Sequence, residues 1–182
     1  MLFFTSTRER RLWFCTAGVV AGIYATLGLA PRLVGLLNNQ DIAAIFFLLG
    51  MFLTAVSVAA LALRIRPRGL EIGVALGITA VYLMMFFRIT LATERSHLIE
   101  YSVVGALIYA ALGERKNNGG HVPAPALFAV LATAVIGIFD ECIQAFLPNR
   151  VFDPQDIFFN TLAGIMAVTA TVALRWARKR RS

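Results

Sequence analysis

Six apolar stretches separated by short polar segments run along the 182-residue chain. Leu12–Pro31 and Ile42–Leu63 hold no charge over 20 and 22 residues, and Ile157–Leu174 is also uncharged. Leu70–Leu91 is apolar apart from Glu71 and Arg88, and Pro125–Leu147 apart from Asp140 and Glu141. Leu98–Gly113 carries only Glu100 but is 16 residues long. At about 1.5 Å per residue it falls short of a hydrocarbon core roughly 30 Å thick. That helix is predicted to start earlier, near Glu94, with its polar end shielded by protein. In a bilayer a backbone must satisfy its own hydrogen bonds, so runs of this length cross as helices. The pattern predicts an all-α fold, a polytopic transmembrane helical bundle of about six spans. The whole chain, 1–182, reads as one domain.

Composition agrees. The chain is 59% hydrophobic and 15% charged, against about 45–50% and about 25% in soluble domains. A water-soluble enzyme and a disordered chain are both excluded. The first stretch follows Arg8, Arg10 and Arg11 and ends in Gly28-Leu29-Ala30, as a secretory signal does. Its apolar run exceeds a signal core of about 7–15 residues, so it reads as a retained helix.

The net charge of +7 could suggest nucleic acid. Its placement says otherwise. With six spans, thirteen Lys and Arg fall on the side of both termini and four (Arg32, Arg88, Arg95, Arg150) on the other. Lys and Arg concentrate in cytoplasmic loops, so both termini are expected in the cytoplasm of a plasma-membrane protein. The Arg-rich tail then serves as a topology anchor against anionic membrane lipid, and no nucleic-acid partner is expected. Gly113 to Pro125 reads as a flexible inner connector. Gly18-x-x-x-Gly22 and Gly73-x-x-x-Gly77 read as close helix-packing positions. Cys15 and Cys142 lie at opposite depths, cannot bridge, and read as small buried apolar residues.

Polar groups inside a bilayer are costly, so their positions carry information. Asp140, Glu141 and Gln144 lie near the outer end of the fifth stretch, with Asp140 and Gln144 on one face. Arg88 ends the third stretch, and Glu94, Arg95, His97, Glu100 and Tyr101 open the fourth. Arg150 lies in the last outer loop, followed by Asp153, Asp156 and Asn160 at helical spacing. Four helices thus direct polar groups to one outer-leaflet region, and no inner turn shows a comparable density. Each group also has a plainer reading. Asp153-Pro154-Gln155-Asp156 is a helix start, the arginines neutralise the acids, and Asn160 bridges helices. Glu94-x-x-His97 has di-iron spacing but stands alone. No metal or other cofactor is expected.

At these residues the chain resembles the VanZ-like family. Asp140-Glu141-x-x-Gln144-x-Phe146-x-Pro148-x-Arg150 is followed by Asp153-x-x-Asp156-x-x-x-Asn160, and Arg95-x-His97-x-x-Glu100-Tyr101 fits the family's His-x-x-x-Tyr helix start. The motif-bearing part spans about 88–174. The resemblance implies a multi-spanning bacterial membrane protein; the founding member is linked to teicoplanin resistance. The sequence reading favours an extracytoplasmic pocket for an amphiphilic envelope molecule or glycopeptide-type antibiotic. Arg88, Arg95 and Arg150 would hold an anionic group, while Asp140, Glu141 and Asn160 contact the rest. An enzyme using Glu141 and His97 as acid and base, with Asp140 beside them, is an alternative. So are a transporter with a proton site at Asp140 or Glu141, and a purely structural network.

Overall fold

The computed structural model describes residues 4–27, 66–88, 92–147 and 152–180. Among these the chain is helical, with no strand: α1 (Thr7–Leu27), α2 (Gly69–Arg88), α3 (Ala92–Asn117), α4 (Pro125–Gln144) and α5 (Pro154–Lys179). Four helices are long and apolar enough to cross a bilayer: α2, α4, α5 and the Ser96–Asn117 part of α3. α1 opens in an arginine-rich turn before its apolar run. The expected span Ile42–Leu63 lies outside the described residues.

α3 is the centre of the bundle, packed on α1, α4 and α5, and α2 lies mainly against α5. Ile23, Val104, Ile108, Ala129 and Val168 form one buried apolar cluster. Leu98, Tyr101 and Ala163 form a second. Phe14, Leu76, Phe87, Leu131 and Phe158 face outward. A bundle whose rim is this apolar fits a lipid environment, where packing rather than water exclusion joins the helices.

Close packing runs through a small-residue seam. A Cβ on Gly105 would meet Gly164 Cα at 3.1 Å and Thr133 Oγ1 at 3.3 Å. One on Gly164 would fall 2.9 Å from Thr133 Cγ2. The glycine pairs expected to do this, Gly18/Gly22 and Gly73/Gly77, have open space around them among the described residues. Spacing identified small faces but not the faces that meet.

Two further expectations change. The fourth apolar stretch is helical from Ala92, as its polar start suggested, but continues to Asn117, so Gly113–Lys116 are not loop. Glu114 and Arg115 earn that extra turn through ion pairs with α1. The helix then closes with Gly119 N–H donating to Lys116 O and Gly120 N–H to Arg115 O, which requires the positive φ of 82° at Gly119. Cys15 and Cys142 are unbridged, as expected, but exposed rather than buried. A thiol is apolar enough to face lipid.

Candidate functional site

One end of the bundle gathers buried polar side chains from three helices. The first turns of α3 supply His97 and Tyr101, four residues apart and both buried. The last turn of α4 supplies Asp140, Glu141 and Gln144, all buried. The first turns of α5 supply half-buried Asp156 and fully buried Asn160. Two helix beginnings and one helix end therefore meet at one level.

His97 and Glu141 are held by uncharged hydrogen-bond partners. Asn160 Oδ1 lies 3.0 Å from His97 Nδ1. An amide oxygen only accepts, so Nδ1 carries the proton and Nε2 keeps its lone pair. Glu141 Oε1 accepts from Gln144 Nε2 at 2.9 Å, and Oε2 from the Asp153 backbone N–H at 3.0 Å. Gln144 also reaches Asp140 Oδ2 at 3.5 Å. The Tyr101 ring lies 5.9 Å from that of His97, and its hydroxyl faces Asp140 without a well-formed hydrogen bond. Close approach of α4 and α5 depends on Gly137, where a Cβ would fall 2.9 Å from Asn160 Cβ. One nitrogen of His97 and one oxygen each of Glu141 and Asp156 lie within 4.8 Å of one another.

Most of the expected residues converge here. Glu100 is half-buried and within electrostatic reach of His97 and Asp140. Asp153 is the N-cap of α5, its Oδ1 accepting from Gln155 N–H at 2.8 Å, so its side chain does the plainer of its two expected jobs. Arg88 ends α2 exposed, with no hydrogen bond or ion pair to the cluster among the described residues. The Arg95 side chain and Arg150 lie outside the described residues. Tyr24 of α1 was not anticipated: its hydroxyl donates to Ile136 O at 3.0 Å, one turn from Asp140. An isolated Tyr in an apolar stretch gives no signal of such a partner. A shallow cavity of about 280 Å³ lined by Pro154, Gln155, Phe158 and Phe159 borders the start of α5.

The opposite end also buries acids, though fewer polar side chains than the histidine end. Glu9 and Glu71 are buried there, and Glu114 is nearly so. Arg115 lies 3.5 Å from Glu9, Arg178 3.7 Å from Glu71, and Arg8 3.6 Å from Glu114. The Glu9 N–H donates to Ser6 Oγ at 3.0 Å, while the Thr5 N–H and hydroxyl donate to Glu9 Oε2. Ser6-x-x-Glu9 is a capping-box spacing, legible in sequence. Burial pushes the Glu9 carboxyl up, but the two Thr5 bonds and Arg115 outweigh it and hold it below the ordinary glutamate value. A cavity of about 700 Å³ also lies at this end, lined by Arg8, Tyr109, Glu114, Arg175, Trp176 and Lys179 among others. Arg175 stacks on the Tyr109 ring at 4.7 Å.

Apolar helices of spanning length around a buried polar cluster define a transmembrane helical protein. The chain matches the VanZ/LLP1 family over residues 2–175 and belongs to it. Neither the search of curated proteins nor that of solved structures returned a match.

Proposed function

We propose that the His97–Glu141–Asn160 end is an extracytoplasmic recognition site of a plasma-membrane protein, taking the polar head of an amphiphilic envelope molecule or of a glycopeptide-type antibiotic. One observation carries the reading: Glu141, wholly buried, is fixed by an amide and a backbone N–H rather than by a described cation. A carboxyl group so held keeps its remaining oxygen lone pairs for a ligand. The aromatic cleft beside α5 supplies apolar surface next to these polar groups, which suits an amphiphile. Sidedness follows from charge: the other end carries Arg8, Arg10, Arg11, Arg115, Lys116 and the basic tail, and basic loops stay in the cytoplasm. Family membership makes a part in glycopeptide resistance or envelope maintenance a natural context.

Two measurements test the reading. A cysteine placed at Asn149 is expected to react with a membrane-impermeant thiol reagent from outside intact cells only. Labelling only from the cytoplasm overturns the sidedness. At matched protein levels, wild type, a deletion and Glu141→Gln are then compared for retained envelope lipid and glycopeptide susceptibility. Glu141→Gln is expected to match the deletion. Behaviour like wild type removes the recognition role.

A further inference from the structure

We propose that the cleft between α1, α3 and α5 at the arginine end seats the phosphate headgroup of an anionic phospholipid. The lipid site is independent of the recognition site at the other end and holds whichever way the bundle faces. It differs from diffuse attraction between the basic tail and a lipid surface, because one lipid is held in one place.

The cleft holds about 700 Å³, within the roughly 300–1,000 Å³ of small-molecule sites. Arg8, Arg175, Arg178 and Lys179 line it, with Glu114 the single acid among the described lining residues. Glu114 faces Arg8 and Glu71 faces Arg178, so with both acids counted the cations still exceed them by two.

Arg175 is the cation that the bundle itself does not use. Its guanidinium lies 4.7 Å from the Tyr109 ring centroid and makes neither a hydrogen bond nor an ion pair among the described residues. An aromatic face draws a cation close without neutralising it. Gly113 makes the room: a Cβ there would come 3.2 Å from Arg175 Nη1. Arg178 and Lys179 belong to the last turn of α5, where basic residues offset the helix dipole. Arg175 lies before that turn, where the dipole effect has faded. A planar, permanently charged fork held against a ring and short of a protein acceptor suits phosphate oxygens.

The apolar side of the cleft tells which molecule carries the phosphate. Val172 and Trp176 line it and are exposed on the outside of the bundle. Val172 precedes Arg175 by three residues, so it stands almost one turn closer to the middle of α5. Trp176 is the amphipathic ring expected at a membrane–water boundary, and Arg180 covers it at 4.8 Å. A soluble phosphate has no use for an apolar wall beside its anion site. A phospholipid does: its phosphate sits at headgroup level and its chains run along the apolar surface. Basic pockets between membrane helices take anionic headgroups in this way.

The test is native mass spectrometry of the purified full-length protein in detergent, titrated with dioleoyl phosphatidylglycerol and with dioleoyl phosphatidylcholine. Both carry a phosphate diester, but only the first has a net negative charge. Wild type is expected to retain one phosphatidylglycerol per chain about tenfold more tightly than phosphatidylcholine, the scale of one charge-assisted hydrogen bond. Arg175→Gln should abolish that preference, and Arg175→Lys should restore part of it, because the charge survives without the planar fork. Arg11→Gln removes the same charge from an exposed position outside the cleft and should leave the preference intact. Equal retention of the two lipids by folded wild type overturns the proposal. So does an equal loss in Arg175→Gln and Arg11→Gln, which means surface attraction alone. Displacement of the lipid by equimolar inorganic phosphate makes this a soluble-anion site and overturns the lipid assignment. A second measurement needs no arginine variant. Trp13→Phe leaves Trp176 as the single tryptophan. Phosphatidylglycerol brominated on its chains should then quench Trp176 fluorescence more than brominated phosphatidylcholine at equal mole fraction. Equal quenching overturns the proposal.

Discussion

Both ends of the bundle bury carboxylates, but they give them different company. At the arginine end, Glu9, Glu71 and Glu114 each face a guanidinium from another helix. At the histidine end, Glu141 meets an amide and a backbone N–H, and His97 meets an amide. An acid matched to a cation is compensated, and its bond energy goes into joining helices. An acid oriented by neutral donors is positioned without being neutralised, which is how a binding group is held. The arginines also reach out of the bundle, with Arg8 77% exposed, so water shares in their solvation. The comparison predicts that the two ends respond differently to the same kind of damage.

The largest effect is expected from Asn160→Leu. It removes the acceptor for the His97 Nδ1–H and adds bulk where α4 and α5 meet at Gly137. A lost buried hydrogen bond plus overpacking costs about 3 kcal/mol or more. Denaturant unfolding of the purified protein measures it. A loss below about 0.5 kcal/mol, the level of an indifferent surface change, would show that the histidine end is loosely packed and break the comparison.

Arg115→Met should cost about 1–2 kcal/mol, less than a fully buried pair because Arg115 is 39% exposed and Glu9 keeps its Thr5 bonds. The pH dependence sharpens this. Glu9 has a folded pKa below its ordinary 4.5. Its contribution is therefore fully present above pH 4.5 and lost as pH falls through the lowered folded value. Wild type should lose stability across that acid window, and Glu9→Gln should lose less there. Equal acid profiles would remove Glu9 as the responsible group.

How far the sequence leads differs between the ends for the same physical reason. The histidine end was legible because its groups interrupt apolar runs: Asp140, Glu141 and Asn160 stand where a lipid-facing residue would be cheaper. Periodicity placed them on helix faces, and the caps placed α5 at Asp153-Pro154. What periodicity could not supply was pairing between helices. That Asn160 would meet His97, 63 residues away, depends on the crossing set by Gly105, Gly137 and Gly164. At the arginine end, charges next to a span boundary look like a solvated rim, so burial of Glu9 and Glu71 was hidden. The capping box at Ser6 was the one local clue.

A smaller effect separates capping from ligand contact at the boundary of the site. Asp153 caps α5 through its side chain and holds Glu141 through its backbone. Asp153→Ala should cost about 1 kcal/mol of stability, the usual loss for a cap, while Asp153→Asn should cost little. Neither should alter envelope-ligand retention, since the backbone N–H survives both. Loss of retention in folded Asp153→Asn would move its carboxylate into the recognition surface.

The smallest effect tests the arginine end where it most resembles the other. Arg8 is 3.6 Å from Glu114, but Ser6 Oγ and Asn118 Nδ2 also donate to that carboxylate, each at 3.2 Å. Glu114 is thus oriented by neutral donors as Glu141 is, with a cation added from the surface. An exposed pair of this kind contributes about 0–1 kcal/mol and is screened by salt. Arg8→Ala should therefore shift stability by less than about 0.5 kcal/mol, and the difference should vanish in high salt. A larger, salt-insensitive loss would mean that Arg8, Glu114, Arg115 and Glu9 act as one desolvated network. The arginine end would then be the more tightly coupled of the two, and neutral donors alone would not mark the site that binds.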